Sequence, residues 1–226
     1  MKKSGEENKI KRYWKKFWYL LWKDDSLKGW LFSLIFLFVF VKFIFFPVLS
    51  LVTGTSLPLA IVESCSMHHQ GNVFSVFDNW WERHDEKYNN LKIDKGEFEK
   101  FQFKRGFSKG DILFLVKANP EKLKIGDIIL FDSGGKTPVI HRIIKIERKV
   151  DGQGNLGVLT FTTIGDNNNA VLTPNNNPAG VDEREIKEEQ LVGKAVFRIA
   201  PSLGWVKLIF FEHLRVPEER GFCREN

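Results

Sequence analysis

The segment PVIHRIIKIE, residues 138–147, is a short apolar run that reads as a strand, with one histidine, His141, amid its apolar residues. Four similar runs surround it: DILFLVKA (111–118), IGDIILF (125–131), VLTFTTIG (158–165) and LVGKAVFRI (191–199). They are short, closely spaced and separated by turns rather than helical patterns. This predicts a mainly β, barrel-like domain. Between the fourth and fifth runs, the Asn- and Pro-rich DNNNAVLTPNNNPAGVDEREIKEEQ is a long loop, and a loop of that length in a compact domain is often functional.

Upstream, LPLAIVESCSM reads as a strand that turns at Ser66. Residues 73–92 are helical by spacing, with Phe77, Trp80 and Trp81 on one side, joined by Tyr88. Charges dominate from Lys92 to Arg105, as in a surface loop. SLGWVKLIFFEHLRV, near the end, has an apolar stretch too short to span a bilayer, suited to lying on a membrane or packing on the barrel.

Residues 31–52, LFSLIFLFVFVKFIFFPVLSLV, hold one charge, Lys42, and are long enough to cross a bilayer. The run has no polar face, which argues against a buried core helix. It is also long for a cleaved leader, and no small-residue cleavage site follows it. An uncleaved anchor is expected, ended or kinked by Pro47. Lys42 is expected to snorkel or pair with another subunit. Residues 1–29 carry nine Lys or Arg against four acids, which predicts a cytoplasmic N-terminus and an external domain from about residue 53. Six aromatics within residues 13–22 alternate with lysines, the pattern of a helix lying among lipid headgroups.

The formal charge of +6 is confined to this N-terminal part, since residues 43–226 hold 24 basic and 24 acidic side chains. A neutral domain offers no general phosphate-binding face, so nucleic acid is excluded as a partner. An outward-facing domain could oxidise the two cysteines, Cys65 and Cys223, but a single pair is not a disulfide framework, and no Cys/His spacing suits zinc. No cofactor or metal is expected. The chain divides into a basic-aromatic arm (1–29), an anchor (30–52), a β domain (53–208) with an insertion at about 71–108, and a tail (209–226).

Acyl transfer needs a nucleophile, a base and donors for an oxyanion. Ser133 lies in FDSGG, superficially like the GDSGG of chymotrypsin-like proteases, but a Gly-rich turn between two strands is what hairpin geometry requires. Ser66 lies in ESCSMHH, residues 63–69, beyond the anchor. It is followed in order by KGDILFLVK, IGDIILF, VIHRIIKI, TIGDNN and VGKAVFRI with LGWVKL.

This ordered set, over about residues 30–70 and 107–208, resembles the membrane-bound signal peptidase I family, in its archaeal and endoplasmic-reticulum branch. Bacterial members place a lysine where this chain has His141. The resemblance implies Ser66 as nucleophile and His141 as general base, with Ser64 and the Ser66 backbone N–H as oxyanion donors. It implies an acid to orient the imidazole, either Asp166 of GDNN or Asp182 of VDERE, with Asp182 slightly favoured. SMHH departs from the family, where proline commonly stands two residues after the methionine, so His68 and His69 compete for the role of base. The implied activity is removal of signal peptides from exported preproteins, bound in extended form with small residues at the first and third positions before the cut. Signal peptides, membrane lipid and other membrane subunits are the implied partners. A peptidase dedicated to one exported substrate and a non-catalytic tethered β domain are the alternatives.

Overall fold

The computed structural model describes residues 3–70, 76–135, 137–150, 156–177 and 180–224, in two compact units, 1–52 and 53–226. The first unit begins with helix α1 (Lys3–Trp22), then α2 (Leu27–Phe40). Ser26 caps α2 by accepting from the Gly29 N–H at 3.2 Å, and Ser33 donates to the Leu21 carbonyl at 3.0 Å. Phe17 of α1 packs edge-on against Phe32 and Phe36 of α2.

The apolar span runs unbroken through a π-helical turn (Val41–Phe45) into α3 (Phe46–Thr53). These 27 residues, Leu27–Thr53, are long and apolar enough to cross a membrane. Pro47 therefore does not end the helix. It lacks an N–H to donate, and the wider turn just before it relieves the crowding its ring would cause.

In the second unit seven strands form one antiparallel sheet in the order β1-β2-β7-β3-β4-β5-β6. They are β1 (Leu59–Ile61), β2 (Ile112–Val116), β3 (Ile128–Phe131), β4 (Val139–Val150), β5 (Leu156–Ile164), β6 (Ile186–Lys187) and β7 (Leu191–Ala200). Each expected run thus contains a strand. Register shifts in β2/β7, β3/β7 and β4/β5 curl the sheet. The curl lets β1, at one edge, face the start of β4 across a cleft.

Both faces of the middle of β4 are covered. One side rests on Phe131, Ile143 and Phe161, all buried. The other side meets an aromatic cluster from α4 (Val76–Asn90) and α5 (Lys95–Phe98): Phe77, Trp80, Trp81, Tyr88 and Phe98 with Ile144 and Ile164. The expected helix over 73–92 is therefore present from 76, residues 73–75 lying outside the described part. Residues 92–105 are not a plain surface loop, because Ile93 and Phe98 are buried in this cluster. Burying each such side chain contributes about 1.5–3 kcal/mol, which holds the insertion onto the sheet.

Strand β4 pairs with β5 only from Arg142 onward, opposite Ile164. Residues 139–141 keep β3 as a neighbour but have an open edge on the β5 side. His141 stands where the two strands part, and the chain after β5 turns there toward Ser66.

Candidate active site

Ser66 follows β1 in a tight turn, closed by a His68 N–H bond to the Cys65 carbonyl at 3.0 Å. Met67 plugs this turn into the core beside Val62, Phe107 and Leu113. The GDNN motif grips the same backbone. The Asn167 N–H donates to the Ser66 carbonyl at 2.7 Å, and its side-chain amide donates to the Cys65 carbonyl at 3.1 Å. Gly165 is required there, since a Cβ would lie 2.8 Å from the Ser66 carbonyl oxygen.

Ser66 Oγ lies 2.7 Å from His141 Nε2. On the far side of the ring, Nδ1 hydrogen-bonds Glu183 Oε1. His141 is 3% exposed and Glu183 fully buried. Glu183 is fixed by two more donors, Thr163 Oγ1 on Oε1 at 2.8 Å and the Leu172 N–H on Oε2 at 2.9 Å. Its own backbone pairs with Thr163 and Leu172. A carboxylate oxygen accepts, so Nδ1–H donates to Glu183, which leaves the Nε2 lone pair toward the serine hydroxyl. Ser64 Oγ is 3.1 Å from Ser66 Oγ.

Neither expected acid meets His141. Asp182 binds its neighbour Arg184 at the surface, Oδ2 to Nη2 at 2.6 Å, and this pairing holds its carboxyl below the usual range. In extended backbone, neighbouring side chains point to opposite sides, so Val181 and Glu183 go inward while Asp182 goes outward. Asn177 keeps the loop in that register, its side chain bonding Thr173 and both polar backbone groups of Val181.

Asp166 is the centre of a different, fully buried network. Arg142 grips it with Nε to Oδ1 at 2.9 Å and Nη2 to Oδ2 at 2.6 Å. Tyr88 donates to Oδ1 at 2.8 Å, and His69 Nε2 lies 2.9 Å from Oδ2. The remaining Arg142 donors reach the carbonyls of Gln102, Phe103 and Gly126, so all five are used. Burial alone would raise the Asp166 carboxyl, but the Arg142 guanidinium overrides it and holds the group well below the carboxylate range. For His69, burial dominates over its bond to Asp166 and lowers the imidazole to about 4. This ring is stacked on Trp80 at 3.7 Å, and His68 Nδ1 meets Ser108 Oγ at 2.8 Å. The histidine ring within reach of the Ser66 hydroxyl is that of His141.

Ser133 sits in the β3–β4 turn, where the Gly134 N–H donates to Asp132 Oδ1 at 2.8 Å and Gly134 adopts φ +76°. Cys65 and Cys223 form a disulfide. Sequence reasoning missed Glu183 and Arg142, and placed Tyr88 on the apolar helix face without its bond to Asp166. A lone arginine inside an apolar strand was the available signal for Arg142, since a buried charge demands a partner. Among the described residues no cluster of His, Cys, Asp and Glu suits a metal.

A cleft of about 550 Å³ opens beside Ser66 and His141, lined by Leu59, Ile61 and Val62 on one wall and by Val139 and Ile140 on the other.

No family model matches the chain. Curated relatives do. The signal peptidase complex catalytic subunit SEC11C of Homo sapiens is 36% identical over 63 residues, covering 27% of this chain and 30% of that protein. The catalytic subunit sec11 of Dictyostelium discoideum is 30% identical over 109 residues, 47% of this chain and 55% of its own. That of Aspergillus terreus is 27% identical over 117 residues, covering 47% and 60%. The chain thus spans about a third to three fifths of the curated relatives it matches. Homologues of this chain are catalytic subunits of the endoplasmic-reticulum type of signal peptidase I.

Proposed function

We propose that this homologue of the endoplasmic-reticulum-type signal peptidases is a membrane-anchored serine endopeptidase that removes signal peptides from exported preproteins. The observation that carries the reading is the row Ser66–His141–Glu183, with a hydroxyl 2.7 Å from one imidazole nitrogen and a buried carboxylate on the other. His141 takes the Ser66 proton as Oγ attacks the scissile carbonyl, and Glu183 stabilises the imidazolium that forms. Ser64 Oγ and the Ser66 N–H donate to the oxyanion. His141 then gives the proton to the leaving amine as the C–N bond breaks. Water, deprotonated by the same imidazole, attacks the acyl carbon, and the imidazolium returns that proton to Ser66 Oγ as the ester bond breaks.

The substrate lies extended in the apolar cleft, between the edge of β1 and the open edge of residues 139–141. Leu59, Ile61, Val139 and Ile140 narrow it, which favours small residues before the cut. Lys-rich residues 1–29 keep the N-terminus cytoplasmic, and the β domain faces the opposite side. Ser66 is thirteen positions beyond Thr53, the end of the span, so chain length alone keeps the nucleophile within about 45 Å of it. The names of the relatives speak of a complex, and association with other membrane subunits belongs to this reading.

Substrate series test it. A preprotein with alanine at the first and third positions before the cut should be processed, and tryptophan at either should lower kcat/KM by about a hundredfold or more. Equal processing of both would contradict a signal-peptide pocket.

A further inference from the structure

Ser66 also lines a second cavity, of about 750 Å³, which shares Glu63, Ser64, Ser66 and Glu219 with the apolar cleft and extends beyond them to Arg220, Phe222 and Arg224. One wall is Glu63, Ser64 and Ser66 themselves. The facing wall is Glu219, Arg220 and Phe222. Nothing in the proposed chemistry uses this wall, yet the chain fastens it firmly to the nucleophile. Cys223 is bonded to Cys65, the residue between the two active-site serines. Arg215 Nη2 binds Glu63 Oε2 at 2.7 Å. The buried Lys109 ammonium bonds both the Glu212 carboxylate and the Glu219 carbonyl, the latter at 2.6 Å. The Asn167 side-chain amide, already on Cys65, also reaches the Arg224 carbonyl at 3.1 Å.

We propose that residues 212–224 form the subsite for the part of the substrate that follows the scissile bond, and that the Cys65–Cys223 disulfide holds this subsite in register with Ser66. The inference rests on the peptidase reading. A polypeptide crossing Ser66 must occupy both sides of it. The apolar cleft suits the small residues of the acyl half. The second cavity, rimmed by Glu219, Arg220 and Arg224, suits a polar, extended leaving half. A cross-link within one residue of both serines makes the distance between wall and nucleophile independent of side-chain motion, which is what positioning a leaving group requires.

The test uses the full chain in detergent micelles and two substrates with the same acyl half. One continues for about ten residues after the cut, long enough at about 3.3 Å per residue to cross the cavity, and the other is an ester of a small alcohol. Cys223→Ser should raise KM for the long substrate about tenfold and leave the ester within about twofold. A dithiol reductant, which converts the disulfide to two thiols and becomes a cyclic disulfide itself, should reproduce this split in the wild type and leave Cys65→Ser/Cys223→Ser unchanged. Should Cys223→Ser lose its cooperative melt, Arg220→Ala and Phe222→Ala, with the disulfide intact, must show the split instead. Equal losses on both substrates, or none on either, would overturn the subsite. A wild type that cleaves neither substrate would sink the peptidase reading instead.

Discussion

Glu183→Gln should lower kcat by about a hundredfold to ten-thousandfold with the fold intact, while Asp182→Asn should stay within about twofold of wild type. Glu183 accepts from His141 Nδ1, Thr163 Oγ1 and the Leu172 N–H. A glutamine amide removes the charge that balances the imidazolium. It also offers an NH₂ group to Nδ1, and that contact favours the tautomer with its proton on Nε2, which is useless for accepting one from Ser66. Asp182 bonds only to Arg184 among the polar partners described, at the surface, so its charge is screened and remote from the reaction. Steady-state rates of the two variants beside circular dichroism separate chemistry from folding. A larger loss in Asp182→Asn would return the orienting role to that residue.

The second large effect is on stability. Asp166→Ala should cost about 3–5 kcal/mol, because it leaves the buried Arg142 guanidinium without its counter-charge. That loss lowers Tm by about 6–20 °C in a chain of this size. Tyr88 and His69 lose their acceptor at the same time. The insertion helix α4 and the turn that carries Ser66 are both tied to β4 through this carboxylate, so they should loosen together.

Acid probes the same network. Asp166, lowered in the fold, contributes stability that is present above its unfolded value near 3.8 and is lost as pH falls below it. His69 acts earlier. Its imidazole is lowered to about 4 from 6.5, so between those values the unfolded chain takes up a proton that the fold refuses. Stability should therefore begin to fall below pH 6.5 and go on falling to pH 4. Urea unfolding at stepped pH reads it. His69→Phe, which keeps the ring against Trp80, should remove the upper part of the decline, and an unchanged profile would show that His69 is not its source.

The strands were legible because short apolar runs at 111–118, 138–147 and 191–199, each bounded by turn residues, are the direct imprint of sheet strands packed into a core. Ser66 and His141, 75 positions apart, were found only through the order of short motifs around them, since no local spacing predicts that meeting. Glu183 was missed for a reason that is itself physical. Aspartate was sought by residue type, whereas the backbone alternation from Val181 selects the next position, a glutamate. GDNN carries an acid that binds structure rather than the imidazole, and its asparagine holds the Ser66 carbonyl. The helix of the insertion was legible from the spacing of Phe77, Trp80 and Trp81, but its packing was not, because residues 92–105 fold against β4 and satisfy Arg142, about 40 positions away, with the carbonyls of Gln102 and Phe103. Nor could one cysteine pair with 158 positions between its members be inferred from spacing.

The most direct measurement is cleavage of a preprotein by the full chain reconstituted in lipid vesicles, with wild type beside Ser66→Ala, His141→Ala and Ser133→Ala. Wild type and Ser133→Ala should release a mature protein with one new N-terminus, directly after the signal peptide, and Ser66→Ala and His141→Ala should release none. Processing that persists in Ser66→Ala, or that disappears in Ser133→Ala while Ser66→Ala remains active, would contradict a peptidase built on Ser66 and His141.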